Sequence, residues 1–263
     1  MTTSVIFEWT LRLASIGVML GSAEMLVKRT ILRRPGLLSP DIVLTRSPIL
    51  MDSRVKPILQ VLFEYRMTIG ILVVRLLASL SLMFMSTSIS CTVLIALTGV
   101  ILSLRSPYGL DGSDQMTNIV FSSCALGLLV GTEAARGIVL IFLATMVCQS
   151  YFVAGIEKLR SKTWRSGNAI HSVAVTKLYG VRKIGEKLKR APIPCYGMAW
   201  FVILFECLFT FGLFAPGPYW WIALISAGLF HLFAAVFMGL NSFFWAFLST
   251  YPAVIFCRSS IGW

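Results

Sequence analysis

The sequence predicts an all-α membrane protein: a polytopic transmembrane helix bundle of about eight spans, with one amphipathic interfacial helix. Hydrophobic residues make up 57% of the 263 positions and charged residues only 13%. The mean hydropathy is +0.83, whereas soluble domains carry about 25% charged residues. Apolar runs of the length that crosses a bilayer, about 20 residues, recur along the chain.

The apolar runs define the expected helices in order. They cover residues 7–26, 67–86, 88–104, 116–132, 136–155, 196–215, 219–238 and 240–257. Pro216 and Pro218 separate two of these spans sharply, because proline cannot continue a helix. No long polar stretch is left for a second folded domain, so we expect a single integral membrane domain over residues 1–263.

The first span is expected to remain as a helix. Glu8 and Arg12 interrupt its apolar stretch, and neither a basic segment nor a small-residue cleavage pattern accompanies it, which argues against a cleaved signal peptide. The four-residue spacing of these two charges predicts that they pair on one helix face.

The distribution of basic residues predicts the orientation. Most of the 23 lysines and arginines fall in the loops 27–66 and 157–195, and Arg105 follows the third span. If eight spans alternate, these loops share one side, and the positive-inside rule places that side in the cytoplasm and the N-terminus outside. We expect the plasma (inner) membrane, with the lipid bilayer as the partner. Nucleic-acid binding is disfavoured, because membrane topology accounts for the charges.

The loop 157–195 also carries the pattern of one amphipathic helix. Apolar residues recur there at mainly three- or four-residue spacing, opposite a basic face. Such a helix is expected on the membrane surface, as a lipid anchor or as a docking site for an acidic peptide. The apolar face is Val173, Val175, Leu178, Val181, Ile184 and Leu188, and the basic face is Lys177, Arg182, Lys183, Lys187 and Lys189.

Charges inside spans are costly unless they are paired or hydrated, and they therefore mark candidate sites. Arg75, Glu206 and His231 lie within predicted spans. We expect Arg75 to pair with Glu24 or Glu206 across the bundle. For each of these groups, helix-to-helix pairing and a role in binding or proton transfer remain alternatives.

The end of the fifth span offers the most specific pattern. If it stays helical to Leu159, then Tyr151, Ala154, Gly155 and Lys158 share a face, and the two small residues admit a second helix or a flat ligand. A desolvated lysine can lose its proton and act as a base. A lysine at the end of a span is also a common interfacial anchor, so both interpretations stand.

This segment resembles a known family. The run Tyr151-Phe-Val-Ala-Gly-Ile-Glu-Lys-Leu, followed by Trp164 and Gly167, is similar to the vitamin K-dependent γ-carboxylase family and its bacterial HTTM-domain relatives, which include SdpB-like peptide-maturation proteins. Further matches extend the resemblance over about residues 65–257. They are Asp111-Gly-Ser-Asp114-Gln115, Phe230-His231, Met238-Gly239-Leu240, Phe243-Phe244 and Leu248-Ser-Thr-Tyr-Pro252.

The resemblance implies a base and a cofactor. The family's carboxylases use a lysine of this motif in vitamin K hydroquinone oxidation, and that lysine falls on Lys158. It implies Glu206 and His231 as further catalytic residues lining the bundle. It also implies that Tyr151, Gly155 and Trp164 contact a quinone-like cofactor. The expected substrate is a small secreted peptide.

In the carboxylases a functional histidine lies at the start of one span. In this chain the corresponding span begins with Asp114 and Gln115. Glutamate carboxylation itself is therefore disfavoured. Two other functions remain open: a non-catalytic immunity or assembly factor, and a small transporter. The sequence has no common hydrolase, metalloprotease or nucleotide-binding motif, and its six scattered cysteines and two histidines do not predict a metal site.

Overall fold

The computed structural model describes residues 2–34, 36, 38–46, 54, 56–85, 87–105, 112–176 and 182–260. Over these residues the chain is helical and contains no β-strand, which confirms the all-α prediction. It divides into two compact units, Met1–Val139 and Leu140–Trp263. One helix runs through the boundary, so that its first turns belong to the first unit and the remainder to the second.

The first unit is built on long apolar helices. Helix α1 packs against α4 and α6, and α5 contacts both α4 and α6. The buried face of α1 carries Phe7, Leu11, Ala14 and Val18, a spacing of three or four residues that keeps them on one side of a helix. The helices are α1 (Thr3–Val27), α2 (Pro40–Arg46), α3 (Lys56–Phe63), α4 (Tyr65–Phe84), α5 (Ile89–Leu104), α6 (Gly112–Val130) and the start of α7 (Glu133–Arg160).

The second unit joins the rest of α7 to shorter helices and to a C-terminal group of helices. Helix α11 contacts α12, and α12 contacts α13. Gly239 ends α12 in the left-handed region, with φ of 70°, which glycine adopts without strain. The helices are α8 (Lys162–Arg165), α9 (Asn168–Ala174), α10 (Arg182–Lys189), α11 (Pro192–Gly212), α12 (Trp220–Met238), α13 (Asn241–Leu248) and α14 (Tyr251–Ser260).

The predicted break around residues 215–218 is confirmed. Helix α11 ends at Gly212, and a short 3-10 helix, Gly217–Tyr219, leads into α12. Arg258 from α14 closes this turn by donating from Nη2 to the Ala215 carbonyl oxygen over 3.1 Å.

Five helical segments in the described part of the chain are long and apolar enough to cross a membrane. This supports an integral membrane protein but not the predicted count of about eight. Helix α5 has 16 residues, or about 24 Å, which is short of a hydrocarbon core of about 30 Å. Helix α6 begins with the polar residues Asp114, Gln115 and Asn118. The five segments are Thr3–Val27, Tyr65–Phe84, Glu133–Arg160, Pro192–Gly212 and Gly217–Met238.

The prediction of a single span over residues 240–257 is wrong. The structure divides it into α13 and α14, with Ser249 and Thr250 between them. The physical reason is Pro252, which lacks an amide N–H and whose ring would clash with the carbonyl of Leu248 if one helix continued. Two short helices replace the eighth span.

The prediction of one continuous amphipathic helix in the loop 157–195 is also wrong. Helices α9 and α10 are separate, with Val175 and Thr176 outside both, and they contact each other. A Cβ on Gly185 would lie 2.8 Å from the carbonyl carbon of Ala174, so the backbones meet closely. Lys177, Leu178 and Val181 of the predicted pattern lie outside the described residues.

Arg105 is not the solvent-exposed loop residue that the sequence suggested. Its side chain is buried, with 4% exposure, and its Nε donates to the Phe63 carbonyl oxygen over 3.3 Å. Arg105 therefore joins the end of α5 to the end of α3 within the first unit, and it is not a solvated marker of membrane orientation.

Candidate functional site

The face of α7 that the sequence singled out is helical to Arg160. Tyr151 and Gly155 are buried along it, and Lys158 is largely buried at its end. The spacing of four and then three residues keeps these side chains on one side of the helix. One side of the helix therefore carries, in order, the phenol of Tyr151, a glycine that a neighbouring helix can approach closely, and the ammonium group of Lys158.

Gly155 is the point where α11 crosses α7. A Cβ at this position would lie 2.7 Å from the amide nitrogen of Cys207 and 2.8 Å from its Sγ. Only glycine permits so close an approach of two helix backbones. The space beside Gly155 is thus taken by α11 and not left open for a flat ligand.

Lys158 and Glu206 form an ion pair between α7 and α11. Lys158 Nζ lies 2.6 Å from Glu206 Oε2 and 2.9 Å from Oε1. The side chains are 20% and 5% exposed, respectively. Trp164 of α8 lies beside the pair, with Lys158 Nζ 5.2 Å from its ring centroid, within the range of a cation–π interaction. The crossing at Gly155 brings Glu206 within reach of Lys158, because Glu206 is adjacent to Cys207, the residue that Gly155 faces.

A second polar cluster lies near the middle of the same unit. The Nε2 atom of His231, on α12, is 2.7 Å from the Tyr151 hydroxyl. That hydroxyl is also 3.2 Å from the hydroxyl of Tyr251, on α14. Burial raises the pKa of Tyr251 above its ordinary value, so this hydroxyl keeps its proton.

Aromatic rings surround this cluster. The His231 ring stacks on Phe247, with centroids 4.5 Å apart, and lies 5.4 Å from the Phe243 ring. The Tyr151 ring lies 4.1 Å from the Phe209 ring. The hydroxyl and imidazole groups are therefore held in an apolar environment, in which hydrogen bonds are strong and unpaired polar atoms are costly.

The structure therefore brings the predicted site residues together as two groups. Lys158, Glu206 and Trp164 form one group, and His231 and Tyr151 form the other. Lys158 and Tyr151 are seven residues apart on α7, which separates the groups by about 10 Å along the helix axis. Tyr251 was not singled out as a site residue. The sequence signal for it was only its place in the Leu248-Ser-Thr-Tyr-Pro252 segment.

The fit of a quinone-like cofactor can be tested on the polar atoms of these groups. His231 Nδ1 is buried and has no hydrogen-bond partner among the described residues. It can bind an oxygen of such a ring. Trp164 and the rings around His231 are suited to contact with a planar ligand. Gly155 does not fit this role, because α11 covers it, whereas the remaining residues do.

The first unit contains a polar cluster of its own. Arg75 Nη1 donates to the Ile95 carbonyl oxygen over 2.6 Å and to Thr98 Oγ1 over 3.2 Å. Asn118 Nδ2 donates to Ser103 Oγ over 2.7 Å. Arg75 is held by these contacts, where we expected a side-chain pair with Glu24 or Glu206. The expected Glu8–Arg12 pair is confirmed, at 3.7 Å.

Comparisons with known proteins do not identify a family. No protein-family model, curated protein or solved structure is significantly similar to the chain. The resemblance to HTTM-domain proteins and γ-carboxylases therefore remains a prediction from short motifs.

Proposed function

We propose that this chain is a multi-pass membrane protein of the HTTM/γ-carboxylase-like type that modifies or matures a small secreted peptide, with a quinone-like cofactor. The observation that carries the proposal is the buried contact between Lys158 and Glu206. It joins two ionisable groups that the sequence singled out separately. It also lies in the segment that carries the family resemblance.

The pair has the chemistry of a base. Transfer of one proton from Lys158 Nζ to Glu206 across 2.6 Å leaves a neutral amine and a neutral carboxylic acid. The amine can then accept a proton from a substrate, and Glu206 retains the first proton until it is returned.

A reduced quinone would supply an acidic hydroxyl and two electrons. His231 would hold one of its oxygens through Nδ1, and Trp164 would contact its ring. Tyr151 orients His231 through the bond to Nε2. Lys158 has the role of proton acceptor, with Glu206 as its partner. We place the basic loops in the cytoplasm by the positive-inside rule.

A second candidate is a non-catalytic immunity or assembly factor. The same ion pair favours it, since Lys158 and Glu206 satisfy each other and join α7 to α11. Removing one partner of a buried pair destabilises a protein whether or not the pair reacts. Loss of function in Lys158→Ala would therefore not separate the two candidates.

Lys158→Arg separates them. Arginine keeps the positive charge and can bind the Glu206 carboxylate, but it cannot be deprotonated in a protein. We expect this variant to fold and to lose peptide modification. The measurement is mass spectrometry of peptides secreted by cells that produce the wild type, the variant or neither.

The matched control is Lys162→Arg, because Lys162 is exposed on α8 four residues further on. It should leave the peptide mass pattern unchanged. If peptides are modified equally with Lys158→Arg and wild type, the base is not Lys158 and the catalytic proposal fails. Peptides identical with and without the wild-type protein would favour the non-catalytic candidate.

A further inference from the structure

The two hydroxyl groups and the imidazole of the His231 cluster form a chain of three hydrogen-bonding groups. Tyr251 contacts Tyr151, and Tyr151 contacts His231 Nε2, at 3.2 Å and 2.7 Å. Each residue is at most 6% exposed. The direction of the hydrogen bonds in this chain decides which nitrogen of His231 carries its proton.

His231 is neutral in this environment. Its polar contact in the described part of the chain is the Tyr151 hydroxyl, and its other close contacts are phenylalanine rings. An imidazolium ion there would be a buried charge without a counter-ion, which is costly. A neutral imidazole has one N–H donor and one acceptor nitrogen.

In the first arrangement, Tyr251 donates to Tyr151 and Tyr151 donates to Nε2 of His231. Both hydroxyl protons then have an acceptor. The proton of His231 must be on Nδ1, which has no partner among the described residues. One buried donor is left unpaired.

In the second arrangement, His231 donates from Nε2 to Tyr151, and Tyr151 donates to Tyr251. The Tyr251 proton then has no acceptor among the described residues, and Nδ1 is an unpaired acceptor. Two buried groups are left unpaired. Since each buried unpaired group is destabilising, the first arrangement is favoured.

We propose that the Tyr151 hydroxyl, which accepts a hydrogen bond from Tyr251, holds His231 with its proton on Nδ1, and that this N–H is the donor that binds a carbonyl oxygen of a quinone. The identity of the ligand rests on the proposed function. A carbonyl oxygen is an acceptor without a proton of its own, so it pairs with Nδ1–H and needs no second acceptor. The aromatic rings around His231 suit a planar, lipid-soluble molecule.

The tautomer can be measured without any ligand. The chain has two histidines, and His171→Gln leaves His231 as the only histidine signal in nitrogen-15 NMR of histidine-labelled protein. We expect a protonated Nδ1 and an unprotonated Nε2. Tyr251→Phe should keep this pattern, because Tyr151 then has Nε2 as its acceptor. Tyr151→Phe should lose it. A protonated Nε2 in the wild type overturns the proposal.

The ligand is tested with 2,3-dimethyl-1,4-naphthoquinone, whose blocked ring carbons prevent addition of the cysteine thiols. It should raise the melting temperature of the detergent-purified protein, since binding to the folded state does so. It should also shift the Nδ1 resonance. The control is 2,3-dimethylnaphthalene, which has the same ring system without oxygens and should do neither.

His231→Phe keeps an aromatic ring and removes the donor. We expect it to weaken quinone binding about tenfold, as for loss of a buried hydrogen bond. Equal binding to wild type and His231→Phe would overturn this inference and the role of His231 in holding the cofactor, while leaving Lys158 and Glu206 as the base of the proposed function. Binding of the quinone to neither protein would contradict the ligand assignment and the cofactor part of the proposed function together.

Discussion

The two units bury their polar side chains in different ways. In the first unit, two buried arginines, Arg75 and Arg105, donate to main-chain carbonyl oxygens of Ile95 and Phe63. In the second unit Arg258 makes a similar bond, to the Ala215 carbonyl oxygen, but other buried polar groups pair with ionisable side chains. Lys158 binds Glu206, and Tyr151 binds both His231 and Tyr251.

This difference separates fixed contacts from exchangeable ones. A main-chain carbonyl accepts a hydrogen bond but does not exchange protons near neutral pH, so an arginine bound to it joins helices and does little else. Amine, carboxylate, imidazole and phenol groups can pass protons between one another. The Lys158–Glu206 pair and the His231 cluster of the second unit are therefore contacts that can take part in proton transfer.

The largest expected effect is at the ion pair. Glu206→Leu leaves Lys158 without its partner in a largely buried position, and we expect a loss of about 3–5 kcal/mol in the free energy of unfolding. The measurement is denaturant unfolding in detergent. The double variant Lys158→Met/Glu206→Leu should recover most of the loss, because no buried charge remains.

An exposed ion pair on the same helix provides the control. Glu157 and Arg160 are 66% and 74% exposed, and Glu157→Gln should change the free energy of unfolding by less than about 0.5 kcal/mol. An equal loss of unfolding free energy for Glu206→Leu and Glu157→Gln would show that burial of the Lys158–Glu206 pair has no energetic consequence.

The next effect is at the crossing of α7 and α11. Gly155→Ala places a methyl group 2.7 Å from a backbone nitrogen, and the two helices must move apart at a cost of about 1–3 kcal/mol. Gly197→Ala, on α11, meets nothing within 4 Å. It should be neutral or stabilise the helix by up to about 1 kcal/mol. Thermal unfolding of both variants tests the contrast.

A smaller effect is expected in the first unit at Gly99, where α5 contacts α6. A methyl group on Gly99 would collide with Asn118 Oδ1 and lie 3.1 Å from Arg75 Nη1. Asn118 can rotate away, so we expect a loss of about 1 kcal/mol, the value of its hydrogen bond to Ser103. Peptide modification should be retained. Gly70→Ala, where a methyl group meets nothing within 4 Å, is the control.

The smallest effect is expected at Tyr251. Tyr251→Phe removes one hydroxyl and leaves the bond between Tyr151 and His231, so the expected loss is about 0.6 kcal/mol, typical of hydrogen bonds in membrane proteins. Thr98→Val, which removes one acceptor of Arg75 in the first unit, should give a similar loss. A much larger loss for Tyr251→Phe would mean that its hydroxyl has a structural role beyond this bond.

The sequence identified the charged residues that need partners better than it identified those partners. Glu206 and Lys158 stood out because charges in apolar segments need partners, yet their contact depends on how α7 crosses α11. Arg75 stood out for the same reason. Its main-chain acceptor could not be identified, because every residue carries a carbonyl group and the sequence gives none of them a distinguishing mark.

One of the predicted spans failed for a reason that was present in the sequence. Hydropathy alone joined residues 240–257, although Pro252 lies within that range and interrupts helical hydrogen bonding. The surface-helix prediction failed differently. The three- to four-residue pattern continued past Ala174, where the structure ends α9, since periodicity reports the faces of a helix but not its continuity.

The length of α7 has a consequence for the membrane in which the protein works. About 20 residues separate Arg136 from Glu157, or about 30 Å of helix, which equals the usual hydrocarbon thickness. Lys158 then lies at the headgroup boundary. A bilayer of longer acyl chains would draw this lysine into hydrocarbon or make the helix more upright, whereas a thinner one would increase its tilt. Lipid chain length should therefore tune the properties of the Lys158–Glu206 pair without any change in the protein.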